Sequence, residues 1–174
     1  TGSTYAMDYL VSAVCQLSSF ISMGARYQYK WKNEATTQRA RLYLRMNRSA
    51  WSSKTQVDAT WLSGSRGYMA SEAFAYRYRW LRLQASMGYF HTSDYDSRVY
   101  ALEPGMLYTM SFGSYFGEGI RCALLAKVDV GSHWLLACKW AITQYFDRNH
   151  ISSGLQQING SCQSDLELQL KWKW

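Results

Sequence analysis

Asp165-Leu166-Glu167-Leu168-Gln169-Leu170-Lys171-Trp172-Lys173-Trp174 alternates polar and apolar side chains without a fault. Successive side chains of a strand point to opposite faces, so this stretch predicts a strand with Leu and Trp on one face and acid, amide and Lys on the other. The same period runs back along the chain. Arg39, Arg41, Tyr43, Arg45 and Asn47 alternate with Ala40, Leu42, Leu44 and Met46, and Arg26, Gln28, Lys30 and Lys32 oppose Ala25, Tyr27, Tyr29 and Trp31. Arg82, Gln84, Ser86 and Gly88 stand behind Leu81, Leu83, Ala85, Met87 and Tyr89. Ile120, Cys122, Leu124, Ala126 and Val128 form another apolar face, with Arg121 and Lys127 behind them and Leu125 breaking the pattern. Trp134, Leu136, Cys138, Trp140 and Ile142 form the next, opposite Lys139 and Thr143.

Composition narrows what such strands can build. The 174 residues suit a single domain over 1–174. Charged residues make up 18% and aromatic residues 16%, the reverse of a disordered chain. No apolar run approaches the length of about 18 residues that a membrane-crossing helix needs. Thr1-Gly2-Ser3 lacks the basic start and apolar stretch of a secretory signal, so a mature product or part of a longer polypeptide is expected.

Two all-β architectures fit alternation. A soluble sandwich buries its apolar faces, whereas a transmembrane barrel turns them to lipid and its polar faces to a lumen. The barrel is favoured by strand length, since the runs at 22–32 and 133–147 exceed the usual five or six residues. Aromatic clusters near strand ends favour it too, at Tyr27/Tyr29/Trp31, Tyr76/Tyr78/Trp80, Tyr145/Phe146 and Trp172/Trp174, where interfacial girdles belong. The expected fold is thus an all-β, antiparallel transmembrane outer-membrane β-barrel with about 10–12 strands in this chain.

Connections add an orientation. Short ones are expected near 17–20, 47–53, 78–80, 103–106 and 130–134, and longer ones near 33–38, 63–67, 91–97, 113–119 and 147–163. Their alternation matches short periplasmic turns and longer external loops. About eleven strands result, at 4–17, 20–32, 36–46, 52–62, 67–78, 81–92, 97–103, 106–112, 119–129, 133–147 and 163–174. If Pro104-Gly105 is a bulge, 97–112 merges into one strand, giving about ten. An odd count, with a first strand starting at an external loop, implies the C-terminal part of a larger barrel.

Several stretches resemble a known family. They are Tyr89-Phe90-His91-Thr92-Ser93-Asp94-Tyr95-Asp96-Ser97-Arg98-Val99-Tyr100, Glu103-Pro104-Gly105, Gly117-Glu118-Gly119-Ile120-Arg121, Tyr145-Phe146-Asp147-Arg148 and Ile151-Ser152-Ser153-Gly154-Leu155. With the terminal Leu168-Gln169-Leu170-Lys171-Trp172-Lys173-Trp174, they look like the C-terminal β-barrel region of Bacteroidota outer-membrane proteins, a family often carrying a helix-hairpin-helix segment before the barrel. The resemblance is at the level of motifs and covers roughly the last half of the chain. It implies a bacterial outer-membrane location and assigns no activity. This chain has no helix-hairpin-helix segment and ends in Trp174 where the family usually has Phe. Leu166, Leu168, Leu170, Trp172 and Trp174 form the C-terminal assembly signal that the barrel assembly machinery would read during insertion.

The formal net charge is +7. Alternation sends most cations to the lumen-facing set: Arg26, Lys30, Lys32, Arg39, Arg41, Arg45, Arg77, Arg79, Arg82, Arg121, Lys127, Lys139, Lys171 and Lys173. Asp8, Asp58, Asp129 and Glu167 are the chief acids on the same face. Such a lumen favours small anionic solutes, although polar lumens are ordinary in barrels and acids from missing strands or a plug would offset the excess. No nucleic acid partner is expected, because the cations and aromatics fall on opposite faces instead of sharing one stacking surface.

Cys15, Cys122, Cys138 and Cys162 show no zinc spacing, so no metal or cofactor is expected. Cys122 and Cys138 share an apolar face on adjacent strands, either as free thiols or as a bridge, and Cys162 falls in the last long loop. His91 lies near Ser93 and Asp94, which reads as turn chemistry, so no catalytic residue is named and an enzyme is not expected. The leading function is an outer-membrane barrel component with a structural or interaction role, its lumen or loops holding a partner or plug. A pore for small, preferably anionic solutes is the alternative, and an outer-membrane hydrolase stands third. The expected partners are outer-membrane lipid, the assembly machinery, and the rest of the barrel or a partner subunit.

Overall fold

The computed structural model describes residues 5–32, 35–62, 64–107, 111–152, 157–172 and 174. Among these residues there is no helix. The strands are β1 (Ala6–Ser18), β2 (Ile21–Lys32), β3 (Ala35–Asn47), β4 (Trp51–Leu62), β5 (Ser65–Tyr78), β6 (Leu81–Thr92), β7 (Val99–Glu103), β8 (Ser111–Tyr115), β9 (Glu118–Val130), β10 (Trp134–Tyr145), β11 (His150–Ile151), β12 (Ile158–Asn159) and β13 (Cys162–Trp172). Nine of them form one antiparallel sheet in the order β1-β2-β3-β4-β5-β6-β9-β10-β13, while β7 pairs with β8 and β11 with β12. Each strand of the large sheet neighbours the next one in the chain, apart from the two small inserted hairpins.

This architecture corrects four expectations. The segments 97–103 and 106–112 are neither two strands of the large sheet nor one bulged strand; 99–103 and 111–115 pair with each other. The sheet accordingly has nine strands instead of 10–12, and Pro104-Gly105 lies beyond the end of β7, not at a short turn between long strands. The connections near 33–38 and 63–67 are also short, since two residues separate β2 from β3 and two separate β4 from β5. Thr36, Thr37, Arg66 and Gly67 continue the strand pairing there despite their turn-like composition. Finally, Cys162 is the first residue of β13, opposite Gln144, instead of lying in a loop.

The two faces of the sheet differ sharply in their surroundings. One face, called inner here, is covered by the β7–β8 hairpin. On it Phe90, Leu125, Ala137 and Ala141 are fully buried, and so are the polar Lys139 and Thr143. The outer face carries the long apolar side chains, and they are exposed: Leu42, Val57, Leu124, Leu136, Trp140, Leu166, Leu168 and Leu170. A water-soluble sheet protein places its apolar face inward, so this distribution is inverted.

Outer-face aromatics gather toward the strand ends. Trp51 and Trp61 lie ten residues apart in β4, and Tyr68 and Tyr78 ten apart in β5. At one end Trp51 stacks on Phe74 and Trp134 meets Trp172 edge to face. At the other, Tyr68 packs on Tyr89 and His91.

The sheet is open. Among the described residues β1 pairs only with β2 and β13 only with β10, so the sheet does not close into a barrel. The outward edges of β1 and β13 therefore have no partner strand among the described residues. Exposed apolar residues occupy both faces of β1, with Val11 on the outer face and Leu10 and Val14 on the inner.

Candidate functional site: a hairpin seated on the inner face

The connection from β6 to β9 folds back over the sheet, and its base is fixed by hydrogen bonds. The Thr92 N–H donates to the Gly117 carbonyl at 2.8 Å, and the Gly117 N–H returns a bond to Thr92 Oγ1 at 2.8 Å. Gly117 holds a left-handed φ of 85°, a region that favours glycine. The Asp94 carboxylate accepts the Ser97 N–H at 2.9 Å and the Ser65 hydroxyl. These bonds, the Ser65 hydroxyl first, hold its pKa below the ordinary carboxylate value. Ser97 is fully buried, and its carbonyl lies where a Cβ on Gly67 would stand, 2.1 Å away.

Two apolar contacts then seat the hairpin. Val99 and Tyr115 pack with Met69 and Phe90, the Phe90 and Tyr115 rings stacking at 5.2 Å. Past β7, Met106 fills a pocket of Leu125, Leu135 and Ala137, with Leu107 packed against it. Leu125, the exception to alternation in β9, is thus part of the seat. Lys127 Nζ donates to the Gly105 carbonyl at 3.0 Å, and the Leu107 N–H donates to Gln169 Oε1 at 3.0 Å.

Between these contacts lies a polar network centred on Glu103. Its carboxylate accepts Arg121 Nε at 2.9 Å and Arg121 Nη2 at 3.2 Å, pairs with Lys139 Nζ at 3.3 Å, and receives the Tyr115 hydroxyl. Arg121 also donates to Thr143 at 2.8 Å and to Asp165 at 3.1 Å, while Lys139 pairs with Glu167 at 3.3 Å. The Glu103 and Lys139 side chains are 4% and 3% exposed, so their charges need each other. The hairpin thereby supplies the central acid of a cluster joining β9, β10 and β13.

The cations expected in the lumen can now be placed. Register puts Arg26, Lys30, Arg39, Arg41, Arg45, Arg77, Arg82, Arg121, Lys127, Lys139 and Lys171 on the inner face. Arg79 does not join them. It occupies the two-residue turn between β5 and β6 with φ 43° and lies over the Tyr78 ring, its guanidinium 5.6 Å from the centroid. Lys173 lies outside the described residues. Asp8, Asp58, Asp129 and Glu167 share the inner face as expected, and Asp58 pairs with Arg41 at 2.6 Å and Asp129 with Arg82 at 2.9 Å. Glu103 and Asp165 lie there as well. Asp165 followed from the terminal alternation, whereas Glu103 had no local signal.

Several of these cations also face one another across the ladder. Arg26 stands directly opposite Arg41, Arg45 opposite Lys54, and Arg77, Arg82 and Lys127 follow in one row across three strands. Like charges opposite one another across a ladder are unfavourable. A polar cavity of about 400 Å³ at the short-turn end is lined by Arg48, Arg77, Arg82 and Lys127, with Ser52 and Gln84.

Other candidates separate. Cys122 is opposite Ile142 and Cys138 opposite Ala126, four register steps apart, about 13 Å at strand rise, and both are free. His91 lies 3.5 Å from Glu118 and stacks on Tyr68, whereas Asp94 serves Ser65 and Ser97, so His91, Ser93 and Asp94 do not converge. Leu166, Leu168, Leu170 and Trp172 line the outer face of β13, and Trp174 is exposed beyond it. No family model, curated protein or solved structure matches the chain.

Proposed function

We propose that this chain is an arc of a bacterial outer-membrane β-barrel in a structural role, its lumen occupied by its own β7–β8 hairpin. The observation that carries this reading is the inverted burial: exposed Leu and Trp on the outer face, and Lys139, Glu103 and Thr143 buried on the inner. The aromatic spacing supports it. Ten residues at about 3.3 Å each span about 33 Å along a strand, or about 25 Å after a tilt of about 40°, which is the height of the apolar band in outer-membrane barrels. The resemblance to Bacteroidota barrel regions points the same way. In this reading lipid covers the outer face, the assembly machinery recognises β13, and further strands pair with the free edges of β1 and β13, because an unpaired edge within lipid leaves backbone groups unsatisfied. Neither catalysis, a cofactor nor nucleic acid belongs to it.

The test combines gel mobility with conductance. Refolded alone in detergent, the chain should give no compact species that boiling shifts; such a species would mean self-closure and overturn the arc. In the outer membrane, the intact chain should add no ion conductance, and removal of 99–115 should open a path. Conductance with the hairpin in place would instead favour the second reading, an anion-preferring pore. That reading draws on the Arg77, Arg82 and Lys127 row and its cavity, since anions would relieve the crowded cations.

A further inference from the structure

Among the described residues of the outer face, charged side chains other than one lie toward the loop end: Arg66 opposite Trp61, and His91 opposite Glu118. The exception is Glu72, four residues from Tyr68 and six from Tyr78 in β5, close to mid-height. Its two carboxylate oxygens accept the hydroxyls of Ser53 and Thr55 on β4, which hold it oriented. On its other side an apolar groove of about 340 Å³ opens, floored by the small Ala85 and Cys122 and walled by Phe74, Leu124 and Trp140. Glu72 lines that groove, and a carboxylate has about four acceptor sites, of which the hydroxyls take two.

We propose that this groove seats a membrane-embedded segment of another polypeptide, one that presents a Lys or Arg to Glu72 at mid-height. This rests on the membrane reading above. Ionisable groups within a membrane are costly and are normally paired, and among the described residues no cation pairs with Glu72. The hydrocarbon of a lipid offers no donor at that depth. A second copy docked through the same face would bring another Glu72 and no mid-height cation, so charge complementarity selects a different, basic partner.

Cys122, which lines the groove, reports occupancy, and Cys138 on the same face serves as reference. Outer-membrane vesicles carrying the chain are first treated with water-soluble or lipid-soluble maleimide. Labelling of both thiols by the water-soluble reagent would refute the membrane reading separately. Three apolar membrane-spanning peptides, with central Lys, Leu or Glu, are then compared as probes. The Lys peptide is expected to protect Cys122 from the lipid-soluble reagent at concentrations at least about tenfold below the Leu peptide, with Cys138 unchanged. Glu72→Gln should abolish that difference, and Glu72→Lys should transfer protection to the Glu peptide, a gain that misfolding does not produce. Equal protection by the Lys and Leu peptides, no protection, or a Cys122 to Cys122 crosslink between copies that survives Glu72→Gln would overturn the proposal.

Discussion

Replacing Glu103 by Gln keeps the side-chain volume and removes the central charge of the hairpin's seat. Breaking one side of a buried ion pair costs about 3–5 kcal/mol when nothing takes the lost partner's place. Here Arg121 keeps Asp165 at 3.1 Å and Lys139 keeps Glu167 at 3.3 Å. Those two acids are 41% and 51% exposed, so they offset part of the loss and are partly screened by water. About 2 kcal/mol is therefore expected to fall on hairpin docking, which at 1.4 kcal/mol per tenfold is about a 30-fold larger undocked population. Amide hydrogen exchange in outer-membrane vesicles reads this locally. Exchange of 99–103 and 113–115 should accelerate by about that factor, while amides in β2 to β4 keep their protection, because the network touches none of those strands. Unchanged exchange in the hairpin would refute the assignment of Glu103 as its anchor. An equal acceleration across the whole sheet would refute the view that the hairpin docks as a separate unit.

Further outcomes follow from the same seat. Met106→Ala empties a pocket made by Leu125, Leu135 and Ala137, and such truncations cost about 2–5 kcal/mol, so protease cleavage near Gly105 should rise strongly while β13 stays intact. Gly67→Ala places a Cβ 2.1 Å from the Ser97 carbonyl, which must move, and exchange of residues 93–98 should increase more than that of 99–103. Asp94 gives a pH dependence: its folded pKa lies below the ordinary 3.8, so its contribution is complete above that value and is lost as pH falls through the lower folded one. The Ser97 amide, corrected for intrinsic rate, should exchange more slowly in the wild type than in Asp94→Asn at pH 6, and the two should converge in strong acid. A constant difference across that range would remove Asp94 as the cause.

The hairpin also explains why the inner face is not uniformly polar. Met69, Phe90, Leu125 and Leu135 are apolar residues in otherwise polar positions, and each lies under 99–115. Water alone would leave them poorly solvated, and the hairpin removes them from it. The cation excess changes meaning accordingly. On β9 and β10, Arg121 and Lys139 are matched by acids of the hairpin and β13, whereas Arg26, Arg45, Arg77 and Lys127 face other cations across the ladder.

Strand identity and face were legible in the residues because alternation is local: a side chain two positions away always shares the face, whatever lies across the sheet. Hence the long strands, the cationic inner face and the outward Leu and Trp of 166–172 follow from the sequence alone. Whether a short strand-like segment joins the large sheet is not a local property. Val99–Glu103 has the β-branched and aromatic residues of a strand, but its fate is decided by Phe90, Arg121 and Lys139, up to 40 positions away, and by a register that brings them together. Turn length is similarly hidden, since Thr36 and Gly67 look like loop residues until their partners are known. Sheet closure, too, depends on the two edges farthest apart in sequence, β1 and β13. Only the tertiary structure decided these points, because pairing across distance is set by complementary surfaces and not by the period of either strand.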